Sequence, residues 1–254
     1  MNSNKDITEI IRNWEYEPSQ ISARKIKGKD GKEKIQMRVE LGLLQMETEG
    51  RPDGKRPHGK ESLLEYHLSR LEEYRAKRGS TMGFKLDKDE CEHLYREALE
   101  YYQRYLSLFS LKDYEGVIRD TERNLRAHNL AESYAVDEGY RRIFTKYVPY
   151  IIMMNAKAKA LINLEKKKHD KALMETKRGI QRIDDFFKNR GQNESSEKSE
   201  EITNLRELGE DIRRKKPLTE LDKLKLELEE AVEIEDFEKA AKLRDVIRRL
   251  EGGK

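Results

Sequence analysis

The sequence predicts a mainly α protein: a helical bundle of repeat-like hairpins, with a small β-hairpin near the N-terminus and an antiparallel helical hairpin at the C-terminus. Three observations carry this expectation. Apolar residues recur at three- and four-residue steps through most of 63–187 and again through 218–250, the period of one helix face. Alternation at a period of two is confined to residues 35–43. Charged residues fill 41% of the 254 positions, and the five prolines, at 18, 52, 57, 149 and 217, each fall at an expected segment boundary. The 53 Lys and Arg nearly cancel the 50 Asp and Glu. Mixed charge of this kind suits solvated helix faces, not a histone-like or acidic tail.

Taken in order, Asp6 and Glu9 stand at capping-box spacing ahead of an Ile7, Ile10, Ile11 and Trp14 stripe, so residues 6–14 predict a short amphipathic helix. Ile35, Met37, Val39, Leu41 and Leu43 then alternate with Gln36, Arg38, Glu40 and Gly42 as in a half-buried strand. Asp30-Gly31 is a type I′ turn pair. A hairpin closed there sets Ile26 opposite Ile35, Arg24 opposite Met37 and Ser22 opposite Val39, which leaves the first strand a polar edge. Residues 50–60, with three glycines and two prolines, form a loop before a helix carrying Leu63, Leu64, Tyr66, His67, Leu68, Leu71 and Tyr74. After a break from Gly79 to Gly83, Asp87 and Glu90 again have capping-box spacing, and a long helix is expected to about Leu111. Nine of the twelve tyrosines lie within 95–150.

Two stretches read as helical hairpins. One spans 98–125 and turns at Lys112-Asp113; the other spans 149–187 and turns at Lys168-His169-Asp170. They are similar to the tetratricopeptide repeat, and small residues such as Ala156, Ala160 and Ala172 would let paired helices approach closely. The Trp, Leu-Gly and terminal Pro positions of that repeat are unfilled. Residues 189–200 contain no apolar side chain, which predicts a flexible linker. The expected organisation is an N-terminal region at 1–78, a helical repeat-like domain at 79–188, a linker and short helix at 189–217, and a helical hairpin at 218–254.

In that hairpin, Leu221, Leu224, Leu228 and Ala231 step by three and four, and Ala240, Leu243, Ile247 and Leu250 repeat the pattern after a break at Glu235-Asp236. Asp236 is placed to cap the second helix, with Glu238 in its first turn. The hairpin is shorter than the roughly 40 residues at which an isolated chain usually buries enough surface. It therefore needs a partner, either the rest of this protein or a second chain. Residues 224–252, LKLELEEAVEIEDFEKAAKLRDVIRRLEG, resemble the UVR motif shared by the excision-repair proteins UvrB and UvrC and by some chaperone and kinase-adaptor proteins. The resemblance implies an antiparallel hairpin that pairs with another, with Phe237, Ala240, Leu243 and Ile247 facing the partner and Arg244 reaching a carboxylate or carbonyl at the contact.

The enzymes of that family do not follow. A phosphate-cradling Gly-x-x-x-x-Gly-Lys-[Ser/Thr] loop is missing: Gly50 to Arg56 is one residue short and has Arg where the hydroxyl belongs. The single Cys91 leaves no zinc-binding Cys pair and no intrachain disulfide. Glu90, Cys91, Glu92 and His93 cluster at a helix start, but Cys91 does not share well the face of Glu90 and His93, so a buried or half-buried thiol is expected there. His58, His67, His128 and His169 are scattered without a nucleophile at a recognisable spacing. No cofactor and no small-molecule substrate is indicated.

Residues 21–60 hold eleven basic side chains against six acidic ones. Among them Arg24, Lys25, Lys27, Lys34, Arg38, Arg51, Lys55 and Arg56 could follow a phosphate backbone. The competing reading is a lysine-protected edge strand, favoured by the missing aromatic residues between Arg24 and Lys60. No apolar run approaches the roughly 18 to 20 residues that span a bilayer, and a soluble, cytoplasmic protein is expected. The expected function is non-enzymatic: an adaptor that recruits a protein partner or a second copy through 218–254. The alternative is a nucleic-acid-binding accessory protein, linked to DNA repair, acting through the basic N-terminal segment.

Overall fold

The structure, a computed structural model, describes residues 6–218 and 220–252. It is mainly helical, with one small sheet near the N-terminus.

The first helix, α1 (Thr8–Ile11), is shorter than the 6–14 expected. Asp6 gives its carboxylate to the Thr8 N–H and hydroxyl at 2.9 and 2.6 Å, and Ile7 at the N-cap brings no capping oxygen. Trp14 lies beyond the helix, where its Nε1 donates to Ser22 Oγ at 2.6 Å and the Arg24 guanidinium sits 4.1 Å from its ring centre.

Strands β1 (Ala23–Lys27), β2 (Glu33–Val39) and β3 (Gly42–Glu47) form an antiparallel sheet in that order. Its register differs by one from the expected hairpin: Lys25 is opposite Ile35 and Ile26 is opposite Lys34. Gly28 N–H donates to Lys32 O at 2.7 Å, so the loop holds three residues, with Gly31 at φ 78° supplying the left-handed position. Such a loop, unlike a two-residue type I′ turn, moves every pair by one and exchanges the faces of the first strand. The alternation through 35–43 also hides a second turn. The chain reverses at Glu40-Leu41, Val39 pairs with Gly42, and Leu41 is 90% exposed at the tip. Ile35, Met37 and Met46 share one sheet face and join a core with Tyr105, Leu108 and Val117.

A 3-10 turn at Pro57–Gly59 leads to α2 (Leu63–Arg78), which is capped by Ser62 and closed by Gly79 at φ 70°. Next come α3 (Lys88–Ser110), with the expected Asp87/Glu90 capping box, and α4 (Tyr114–Tyr134), capped by Asp113 after Lys112 at φ 59°. α5 (Glu138–Lys146) intervenes before α6 (Val148–Glu165) and α7 (His169–Lys188). The pairs α3–α4 and α6–α7 pack as hairpins, and α4 packs on α6. Ala156, Ala160 and Ala172 are buried, and a Cβ placed on Gly179 would lie 2.5 Å from the Ala156 Cβ, so α6 and α7 approach closely there.

Residues 189–200, expected as a flexible linker, are folded. Gly191 turns the chain at φ 67°, α8 (Asn193–Glu197) packs on α7, and Ser196 Oγ donates to Asp184 Oδ1 at 2.7 Å. Side-chain hydrogen bonding replaces the missing apolar burial. α9 (Glu200–Lys215) follows, with Ile202 and Leu205 in the main core. The chain divides into two compact units, Met1–Glu210 and Asp211–Lys254, at a point within α9.

Among the described residues no helix is long and apolar enough to cross a membrane. The charge that sequence reading assigned to solvated faces also enters the interior. Glu97, wholly buried, accepts the Leu63 and Leu64 N–H groups at the start of α2 and the Arg123 guanidinium, with Arg51 Nε 3.3 Å away. Arg104, also wholly buried, pairs with Asp120 and donates to Glu47 O at 3.0 Å, tying β3 to α3 and α4.

Candidate functional site

The C-terminal unit contains α10 (Glu220–Glu233) and α11 (Phe237–Gly252), packed side by side. Leu221, Leu224 and Leu228 are half-buried and Ala231 is fully buried on α10; Ala240 and Ile247 are buried and Leu243 half-buried on α11. Those are the three- and four-residue steps of two stripes meeting in an antiparallel pair. Asp236 caps α11, its carboxylate accepting the Lys239 N–H at 3.0 Å, and Glu235 at φ 58° completes the turn. The reversal takes three residues, Ile234 to Asp236.

The stripe expected to face a partner therefore splits. Ala240 (8% exposed) and Ile247 (7%) belong to the buried stripe, while Phe237 is 68% exposed. Phe237 opens α11 at the turn, three residues before Ala240. On α10 the last buried position is the small Ala231, so no larger side chain covers the ring. Ile234, 71% exposed, stands beside it in sequence across the turn, and Leu226, Val232, Val246 and Leu250 are also exposed. Sequence reading missed Ile234. Its signal was present, since Ile234-Glu235-Asp236-Phe237 brackets a polar turn with two large apolar residues at the end of the hairpin. Arg244 is exposed, its guanidinium 3.4 Å from the neighbouring Asp245 carboxylate.

The basic N-terminal residues are mostly engaged within the fold. Arg24 donates to Gln36 Oε1 at 2.9 Å and to Ile10 O at 3.4 Å. Lys25 lies 3.0 Å from both Glu33 and Asp113, and those carboxylates raise its pKa. Lys34 pairs with Glu47 and Asp30, and Arg38 donates to four backbone carbonyls, including Trp14 O at 2.8 Å. Arg51 lies within 3.5 Å of Asp53, Glu97 and Glu100, and Lys55 3.6 Å from Asp53. Lys27 and Arg56 are exposed. The segment is thus a hydrogen-bonded sheet and loop, not a row of free cations.

Cys91 is fully buried, and burial together with Glu90 pushes its thiol up to about 11, which leaves it an unreactive core residue. His93 is exposed on the same helix start. His67 and His128 are buried, and burial lowers each to about 4, so both rings are neutral near pH 7.

With this geometry in place, the family comparison has a structural counterpart. The model of the UvrB/uvrC motif, UVR, matches residues 219–252, which takes in all of α10, the turn and α11. The N-terminal unit lies outside the match. No curated protein and no solved structure matches the chain.

Proposed function

We propose that this chain is a non-enzymatic adaptor whose α10–α11 hairpin pairs with a helical hairpin of a protein partner or of a second copy. The observation that carries this reading is the exposed Ile234/Phe237 pair at the turn of a hairpin whose inner stripe is buried or half-buried. A large exposed aromatic beside an exposed Ile is the arrangement of a docking anchor. Burying side chains of this size contributes roughly 1.5–3 kcal/mol each before association costs. The match to the UVR motif over the same residues supports the reading independently. Arg244 and the exposed Val246 and Leu250 extend the face along α11.

Nucleic-acid contact through the N-terminal basic segment is not adopted, because six of its eight candidate cations are held by carboxylates or carbonyls of the same chain.

Sedimentation of the full chain and affinity purification with wild type and Phe237→Glu test the proposal. The expected result is self-association, or a reproducibly bound protein, lost in Phe237→Glu without loss of helicity. A Phe237→Glu protein that sediments as wild type and keeps every bound protein would overturn it.

A further inference from the structure

A cavity of about 450 Å³ lies in the N-terminal unit, lined by residues of α3, α4, the α5–α6 junction and the start of α9. Five tyrosines line it: Tyr95, Tyr102 and Tyr105 from α3, and Tyr147 and Tyr150 at the junction. Tyr95 and Tyr102 are two helical turns apart on one face, roughly 10 Å along the axis. Tyr95 stands against Tyr147, and Tyr102 against Tyr150 at 6.2 Å between ring centres. Two aromatic rungs thus flank the space.

Its inner lining is buried and almost fully satisfied. Asn124 donates to Ala98 O at 2.9 Å and accepts from Arg123 at 3.0 Å. His128 meets the Phe144 carbonyl through Nδ1, and because a carbonyl only accepts, that nitrogen carries the proton. Nε2 is left as an acceptor with no partner among the described residues. Burial keeps this ring neutral and raises the Tyr95, Tyr105 and Tyr150 phenols, so these groups carry no charge near pH 7. The two formally charged lining residues, Lys146 and Glu201, are exposed and half-buried respectively.

We propose that this cavity binds a flat, uncharged heteroaromatic molecule that stacks among the tyrosines and donates a ring N–H to His128 Nε2. Aromatic walls favour a planar ring in edge or face contact. An uncharged inner lining disfavours a charged body, whose desolvation nothing there would offset. An acceptor in the cavity wall favours a ligand that brings a donor to it over one that leaves it unpaired. The volume is that of an ordinary small-molecule site. This assignment stands apart from the hairpin and does not depend on its partner.

Indole titrated into the full chain is the test, followed through the ring nitrogen and proton signals of the five histidines. Indene, which has the same shape with a CH2 in place of the N–H, is the control. Indole is expected to shift the His128 signals saturably, and indene to bind at least tenfold more weakly. Leu99→Trp, at an exposed lining position, is expected to abolish both titrations while the melting temperature holds. The proposal is overturned if His128 shows no saturable shift up to the solubility of indole, or if indene binds as tightly. An unchanged indole titration in folded Leu99→Trp would overturn it as well.

Discussion

Arg104 and Asp120 form a bidentate pair, Nε and Nη2 donating to the two carboxylate oxygens at 2.7 and 2.8 Å, with both side chains wholly buried between α3 and α4. Arg104 also reaches the Glu47 carbonyl at 3.0 Å, so one guanidinium joins the sheet to the helices. Removing one partner of such a pair leaves an uncompensated buried charge, which costs more than the pair itself contributes. Asp120→Ala is expected to destabilise the N-terminal unit by roughly 3–5 kcal/mol, measured by urea unfolding. The double variant Arg104→Met/Asp120→Leu is expected to recover much of that loss, because no charge is then stranded.

His67 and His128 make stability depend on pH in a defined direction. Burial lowers both to about 4 from an ordinary value of 6.5, so the unfolded chain binds protons that the folded chain does not. Their contribution is fully present above pH 6.5 and is lost as pH falls towards 4. Each is expected to remove on the order of 1 kcal/mol per pH unit across that window. Unfolding free energy measured at pH 7, 6, 5 and 4.5 in wild type and His67→Gln checks it; the variant should show the shallower slope.

Much of the helical architecture is legible because the relevant signals are local. Asp87/Glu90 and Asp236 cap as their spacing requires, and the Ala156, Ala160 and Ala172 positions are buried. The sheet is less legible. Whether Asp30-Gly31 closes a two- or a three-residue loop depends on the φ angle at Asp30, since Gly31 is left-handed in either, and a strand pattern with Gly42 in it conceals a turn at Leu41. The buried ions are illegible, since Glu97, Arg104 and Asp120 look like any charged residue of a solvated face until the facing helix is known. At the candidate docking site, the steps of the stripe identify the hairpin, but a helical period cannot separate Phe237 from Ala240. Only the position of the turn does that.

Gly179 marks the tightest approach of α6 and α7. A Cβ there would stand 2.5 Å from the Ala156 Cβ and 2.9 Å from Leu205 Cδ1. Ala gains about 1 kcal/mol over Gly in helix propensity, yet overpacking of this kind costs about 1–3 kcal/mol. Gly179→Ala is expected to be net destabilising. Adding Ala156→Gly removes the closest clash and should restore part of the loss, a coupling that thermal unfolding of the four-member cycle would read.

The two halves of the stripe read from sequence on α11 should separate by experiment. Ala240 is buried four residues beyond the Asp236 cap, on the side of α11 that packs against α10. A larger side chain there forces α10 and α11 apart, at roughly 1–3 kcal/mol for a hairpin with little stability to spare. Ala240→Leu is therefore expected to lower the helical circular dichroism signal of the full chain and to expose the amides of 220–252 to hydrogen exchange. Phe237→Glu removes no buried contact and places an acidic residue in the first turn of α11, which the helix dipole favours. Its helicity and exchange protection should match wild type while association is lost. Equal loss of protection in both variants would mean that Phe237 is part of the hairpin's own packing and not a surface held out for a partner.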